Sequence, residues 1–283
     1  MMNARDLAGT IKTQLESDYG IEITVKRINL NSSNIEFLVA EKQSGCLGVG
    51  FHIIMQWRHM QLSLSTENHF VPDNIFEQWH QQLKVSLPTF LCFHNKLIEM
   101  GYPPRIKVNG NETSISSLPE NIWLSLSINS TGPFTEIVDD LEFHEENILP
   151  PLSLFWGLVL SFASRQVIEE TSPSDELEGE VTMQLHKKYE RNKLNRKACI
   201  AIKGFACAVC GKKMSDIYGS IGEGFIEVHH VTPIASYGQP QHIDPARDLV
   251  PVCPSCHAML HRKNPPYTVE ELQKILKGLK NGT

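Results

Sequence analysis

Hydrophobic positions in the first half of the chain follow first a helical and then a strand period. Leu7, Ile11 and Leu15 recur at four-residue intervals before Gly20, which predicts an amphipathic helix over residues 4–18. Apolar and polar residues then alternate, and this pattern predicts strands with one buried face at residues 21–25, 35–39 and 60–64.

The spacing returns to a helical period over residues 72–100, where Pro88 is expected to interrupt the helix. Two short alternating runs at 106–108 and 124–128 predict further strands, and an apolar helix is predicted over about 150–170. Its uncharged core is shorter than the roughly 20 apolar residues that span a bilayer and contains two prolines. We therefore predict a buried helix, no membrane association, and an α+β domain with an antiparallel sheet over residues 1–170.

This N-terminal domain carries no ligand spacing that would indicate a chemical role. Its histidines are scattered and are interpreted as core or solvated residues: His52, His59, His69, His80 and His94. Recognition of a substrate, binding of a partner and autoinhibition by an acidic surface all remain open for it.

A polar, acidic segment with Pro and Gly follows at residues 171–179, and its composition is typical of a linker. We place a second domain at residues 180–283. That part carries 15 Lys and Arg against 9 Asp and Glu, whereas residues 1–179 carry 11 against 23. Only the C-terminal part has the charge expected of a protein that binds phosphates.

A helix-compatible basic run extends over residues 181–202 and leads into the cysteine-rich segment. Its cations are either a solvated face or contacts to nucleic-acid phosphates. The candidates for DNA contact are Lys187, Lys188, Arg191, Arg196, Lys197 and, further along the chain, Arg262.

Composition limits the class of protein further. The 283 residues are 41% hydrophobic, enough for two buried cores. Seven cysteines, four of them in two Cys-x-x-Cys pairs, favour metal binding over disulfides and therefore a reducing compartment. The N-terminus has no continuous apolar segment typical of a secretory signal, so we expect a cytoplasmic location.

The two cysteine pairs are Cys207 with Cys210 and Cys253 with Cys256. Two residues between thiolates allow both sulfurs to reach one tetrahedral ion, and two such pairs complete the closed shell of a structural zinc. This Zn²⁺ would fix the start of one segment to the end of another. A histidine pair lies between them.

That pair, His229 and His230, ends a strand-like run, and His257 and His261 stand four apart at the start of a helix. Residues four apart project from one helical face, so histidines from a strand and a helix can meet. The sequence thus predicts a second metal site with an open, catalytic ligand set.

These segments, Val228-His-His-Val-Thr-Pro233 and Asp248-Leu-Val-Pro-Val-Cys-Pro-Ser-Cys-His257, resemble the HNH endonuclease family with its ββα-metal fold. The four-cysteine frame is similar to the McrA-type branch of that family, and the resemblance covers about residues 180–265. It implies that His229 and His257 bind the catalytic metal, which would be Mg²⁺, Mn²⁺, Ni²⁺ or Zn²⁺. His230 then matches the general base, and His261 an auxiliary catalytic position beside the metal or the scissile phosphate.

Asp248 stands where the family pattern has Asn, so the motif here is H-D-H. A carboxylate can orient the imidazole of His230 or approach the metal, and both roles remain open. Neighbouring residues of an ideal strand point to opposite faces, so we expect the strand to distort or end at His229 and His230.

The resulting hypothesis is a metal-dependent DNA endonuclease, cutting or nicking, that acts in phage defence or modification-dependent restriction. Its partners would be DNA, including modified or phage DNA, and proteins of a defence system. A two-fold homodimer would suit double-strand cutting, although no residue argues for it. The alternatives are a non-catalytic zinc module that binds nucleic acid or protein, and a nuclease acting on RNA.

Overall fold

The computed structural model describes residues 4–31, 34–42, 49–56, 58–64, 75–120, 123–134, 144–163, 184–232 and 242–280. These residues divide into two compact units, and the division falls between Leu194 and Asn195, within one helix. The predicted linker at 171–179 lies outside the described residues. The predicted domain boundary therefore stays a prediction.

The N-terminal unit is an α+β structure, as the sequence predicts. Its elements are α1 (Ala4–Tyr19), β1 (Ile23–Asn31), β2 (Asn34–Glu41), β3 (Gly50–Gln56), β4 (His59–Leu64), α2 (Ile75–Glu99), β5 (Pro104–Val108), β6 (Asn111–Thr113), β7 (Leu126–Pro133) and α3 (Glu145–Ala163). The seven strands form one antiparallel sheet in the order β1-β2-β3-β4-β7-β5-β6.

One face of this sheet forms the core of the unit. Phe37, Ile53 and Leu62 are register partners on three adjacent strands, and none of them is exposed. On the same face Phe51 lies 5.3 Å from Phe155 of α3, measured between ring centroids. Strand β3 was not predicted, because an apolar residue on its outer face, Ile54, obscures the alternation.

Helix α3 is the apolar helix that the sequence predicts. It is the one helix within the described residues that is long and apolar enough to cross a bilayer, yet most of it is buried inside the unit. Its largest side chains, Phe155, Trp156 and Phe162, are at most 1% exposed. The helix begins at Glu145, earlier than predicted, and residues 164–170 lie outside the described part of the chain.

The interruption expected at Pro88 is wrong, because α2 continues through this residue from Ile75 to Glu99. The buried residues Trp79 and Phe90 lie on either side of the proline, and both rings contact Phe162 of α3. Tertiary packing on both sides therefore outweighs the backbone hydrogen bond that proline cannot donate.

Gly157 marks the closest approach between α3 and its neighbours. A Cβ atom there would lie 2.4 Å from the Tyr19 hydroxyl oxygen and 2.7 Å from the Phe93 ring. That hydroxyl donates to the carbonyl oxygen of Ser153 at 2.6 Å, so it cannot move without losing a buried hydrogen bond.

Gly157→Ala is therefore expected to destabilise the unit by about 1–3 kcal/mol, the usual cost of overpacking. Gly9→Ala is the matched control, because that helical glycine has nothing within 4 Å of an added Cβ. The control should be neutral or stabilising by up to about 1 kcal/mol. Urea unfolding of the two variants measures both effects, and equal shifts would contradict the packing argument.

The C-terminal unit has the ββα order that the sequence predicts. Its elements are the last part of α4 (Gln184–Lys203), then α5 (Ser215–Tyr218), β8 (Glu227–His230), β9 (Leu249–Val252), α6 (Pro254–Leu260) and α7 (Val269–Lys280). Strands β8 and β9 are antiparallel, and His230 pairs with Leu249. A separate core formed by Ile200, Ile226, Val252, Leu260 and Leu272 holds helices and hairpin together.

Candidate metal centres and active site

The four predicted zinc ligands converge at one place in the C-terminal unit. The sulfur atoms of Cys207, Cys210, Cys253 and Cys256 all lie within 4.8 Å of one another, and those of Cys210 and Cys253 are 4.0 Å apart. A tetrahedral zinc with Zn–S bonds of about 2.3 Å requires sulfurs about 3.8 Å apart. The cluster therefore fits the structural Zn²⁺ that the sequence predicts.

Local backbone structure brings the sulfurs together. Gly211 adopts φ +77° directly after the first pair, and its N–H donates to the carbonyl of Cys207 at 2.8 Å. Cys253 caps the N-terminus of α6, where its sulfur accepts from the N–H of Cys256 at 3.5 Å. Burial, followed by the neighbouring sulfurs, raises the pKa of Cys210 and Cys256. Several thiolates in so small a volume need a cation.

A second cluster consists of three imidazoles, from His229 on β8 and from His257 and His261 on and after α6. Their candidate ligand nitrogens lie within 4.8 Å of one another. The ring centroids are 5.2, 5.0 and 5.0 Å apart, and the ring planes cross at 75°, 76° and 74°. Three imidazoles that face one point from three directions can hold one divalent cation and leave other coordination positions open.

The structure thus brings both predicted metal ligands together and adds His261 to them, which favours the metal over the phosphate as the neighbour of His261. His229 is buried and His261 is exposed, so the cluster opens to solvent on the His261 side. Burial lowers the pKa of His229 to about 4, assisted by the positive charges of the other histidines. The His229 imidazole is therefore neutral at pH 7, the form that binds a metal.

His230 lies outside the three-histidine cluster. Strand β8 keeps its register as far as His230 and ends there. The expected end of the strand is therefore observed at this pair. His230 is still close enough to the cluster for its charge to contribute to the lowered pKa of His229. His230 is near Asp248, whose pKa it helps to lower.

Asp248 has well-defined partners of its own. Its carboxylate accepts from Arg247 Nε at 2.8 Å and from the N–H of Asp244 at 2.9 Å. The hydrogen bond from Arg247 is the largest cause of the lowered pKa of Asp248, and burial opposes it. The carboxylate therefore stabilises the turn before β9, and the three-histidine cluster does not include it.

Glu227 is a site residue that the sequence reasoning missed. Its carboxylate lies 2.6 Å from Nδ1 of His257 and fixes the ring so that Nε2 is available for a metal. Glu227 and His229 are two apart on β8 and so share one face of the strand. That alternation was the signal in the sequence that could have identified Glu227.

Glu227→Ala is expected to weaken metal binding at the three histidines by about 10–100-fold, the usual effect of removing a partner of a ligand histidine. Glu223→Ala is the control, since Glu223 is an exposed carboxylate of the same unit. Calorimetric titration of Ni²⁺ into the zinc-loaded protein measures the difference. Equal Ni²⁺ affinity in the two variants would contradict the orienting role.

The predicted DNA-contact residues have different environments. Lys187, Lys188 and Arg191 lie on α4, in a part where only the backbone is described. Arg196 is half-buried, and its Nη2 donates to the carbonyl oxygen of Ile226 at 2.5 Å. Lys197 is also half-buried and Arg262 is exposed directly after His261. Their contacts to DNA stay a prediction.

Comparison with known proteins agrees with this geometry. Residues 207–263 match the family model described as HNH endonuclease. The chain is 34% identical over 89 residues to the type IV methyl-directed restriction enzyme EcoKMcrA of Escherichia coli (strain K12). The aligned segment covers 31% of this chain and only 30% of that relative. No solved structure matches the chain significantly. The predicted resemblance to the HNH family is confirmed for the C-terminal unit.

Proposed function

We propose that the C-terminal unit is a metal-dependent nuclease that hydrolyses phosphodiester bonds of DNA. The observation that carries this proposal is the cluster of His229, His257 and His261, with His230 on the next position of the same strand. The match to the HNH endonuclease family supports the same reaction class.

The histidines, Glu227 and the four cysteines have different roles in the proposed reaction. A divalent cation bound by His229, His257 and His261 would neutralise a phosphate oxygen and stabilise the leaving 3′ oxygen. His230 takes a proton from the attacking water, since an imidazole titrates near neutral pH. Glu227 holds the ring of His257, and the four cysteines fix the start of α6, on which that ring stands.

The substrate we propose is modified DNA, in restriction or phage defence. The choice of modified DNA rests on the similarity to an enzyme named as methyl-directed, and that similarity covers only the aligned 89 residues. We place the enzyme in the cytoplasm, where DNA is accessible and thiolate ligands stay reduced. The N-terminal unit would then supply recognition, partner binding or autoinhibition.

A substrate panel tests the proposal with the full-length, zinc-loaded protein. Supercoiled plasmids that are unmodified, cytosine-methylated or hydroxymethylated are incubated with Mg²⁺, Mn²⁺ or Ni²⁺, and RNA is treated in parallel. We expect metal-dependent conversion of modified plasmid to nicked or linear form. Cleavage of RNA alone would overturn the choice of DNA, and binding without cleavage of any substrate would favour a zinc module instead.

A further inference from the structure

We infer that Arg196 and Lys203 of α4 are positioning residues that hold the histidine-bearing hairpin, rather than ligands of DNA phosphates. Arg196 Nη2 donates to the carbonyl oxygen of Ile226, and Lys203 Nζ donates to that of Leu249, each at 2.5 Å. The effect on catalysis rests on the proposed nuclease function, whereas the effect on metal binding does not.

The two cations reach opposite ends of the hairpin. They are seven residues apart, which places them on one face of α4 with about 10.5 Å between them along the helix axis. Ile226 directly precedes β8, and Leu249 pairs with His230 at the far end of that strand. Four residues of strand span about 13 Å, so α4 lies along the hairpin and contacts it at both ends.

Both carbonyls lie on outer edges of the hairpin, where no strand of the described residues pairs with β8 or β9 from outside. The N–H of Val231 donates to the carbonyl of Asp248 at 2.8 Å. Hydrogen-bonded and non-hydrogen-bonded pairs alternate in an antiparallel ladder, so the carbonyl of Leu249 points away from β8. The same alternation turns the carbonyl of Ile226 away from β9.

These carbonyl groups need the partners that α4 provides. Ile226 and Leu249 are each only 2% exposed, and a buried carbonyl without a donor is costly. A hairpin of two strands is also marginally stable unless a helix packs against it. Ile200, between the two cations on α4, belongs to the same core cluster as Ile226 and Val252.

The position of the hairpin decides whether the histidines meet. His229 comes from β8, whereas His257 and His261 come from and after α6, so a displaced strand would separate the three imidazoles. A phosphate that bound Arg196 or Lys203 would have to compete with the backbone carbonyl each already holds. The geometry therefore assigns both cations to the hairpin.

The test compares full-length, zinc-loaded protein with the double variant Arg196→Met and Lys203→Met, which keeps long apolar side chains and removes both donors. We expect kcat and the Ni²⁺ affinity of the three histidines to fall by about 10–100-fold, as for other supporting partners of a metal site. KM and the dependence of DNA binding on salt should stay unchanged. Exchanging the two residues, Arg196→Lys with Lys203→Arg, retains the donors and should restore most of both losses.

The control is the double variant Arg262→Met and Lys263→Met, which removes two exposed cations next to His261. Each lost phosphate contact makes the negative slope of log K against log salt less steep by about 0.9. If the slope becomes less steep for the Arg196 and Lys203 variant instead, while its kcat and Ni²⁺ affinity stay intact, the inference is overturned.

Two further measurements distinguish failure of this inference from failure of the proposed function and from misfolding of the variant. If the wild-type protein cleaves no nucleic acid, the proposed function fails, and the Ni²⁺ titration alone decides the positioning role. If the double variant loses its zinc or its cooperative unfolding, the single variants Arg196→Met and Lys203→Met are measured instead. Each must then weaken Ni²⁺ binding relative to the Arg262→Met control, and unchanged affinity in both rejects the inference.

Discussion

Replacing His230 with alanine is expected to lower kcat by about 10²–10⁴-fold, the contribution of a positioned general base. The metal site should remain intact, because His230 is not among the three histidines whose candidate ligand nitrogens lie within 4.8 Å of one another. Steady-state cleavage of modified plasmid and Ni²⁺ titration of the same preparation measure the two quantities. Added imidazole should restore part of the activity.

His144→Ala is the control for this variant, since His144 is an exposed histidine of the N-terminal unit. It should leave both cleavage and Ni²⁺ affinity at the wild-type level. If His230→Ala retained full activity, the role of base would have to pass to another group. If it lost Ni²⁺ binding as well, His230 would be a metal ligand instead.

Removing one zinc ligand, as in Cys256→Ala, is expected to unfold the C-terminal unit. Zinc bound by a structural site contributes about 10–16 kcal/mol, which is as large as the entire stability of many domains. The N-terminal unit has its own core and should keep its unfolding transition. Zinc content, circular dichroism and calorimetric unfolding together report the loss.

Cys199→Ala provides the matched control, because Cys199 is also buried in the same unit but lies outside the four-sulfur cluster. Its neutral thiol, whose pKa burial raises to about 11, acts as a small apolar side chain. That variant should keep one zinc and unfold only slightly more easily. Full zinc content in Cys256→Ala would show that Cys256 is not a ligand.

The short ligand spacings made much of the candidate site predictable. The two residues between Cys207 and Cys210 allow both sulfurs to reach one metal ion, and the four-residue spacing of His257 and His261 places both on one helical face. Such local relations need no knowledge of the fold. The α+β class was equally accessible, because strands such as β2 and β4 alternate between fully buried and partly exposed residues.

Other features depend on contacts between distant segments. The continuity of α2 through Pro88 follows from packing. Glu227 and His257 are 30 residues apart, yet they form one hydrogen bond. The sequence predicts Arg196 as a phosphate ligand, whereas in the structure its guanidinium donates to the carbonyl oxygen of Ile226.

The sequence by itself indicated the types of candidate ligand in this protein and their grouping into four cysteines and a separate set of histidines. Donor chemistry and near-neighbour spacing are properties of the chain, so they could be interpreted directly. Only the tertiary structure decided that His261 joins His229 and His257, that His230 stands apart, and that α4 contacts both ends of the hairpin. Those relations arise when a strand, a helix and their supporting core are packed together, and no local pattern encodes the resulting distances.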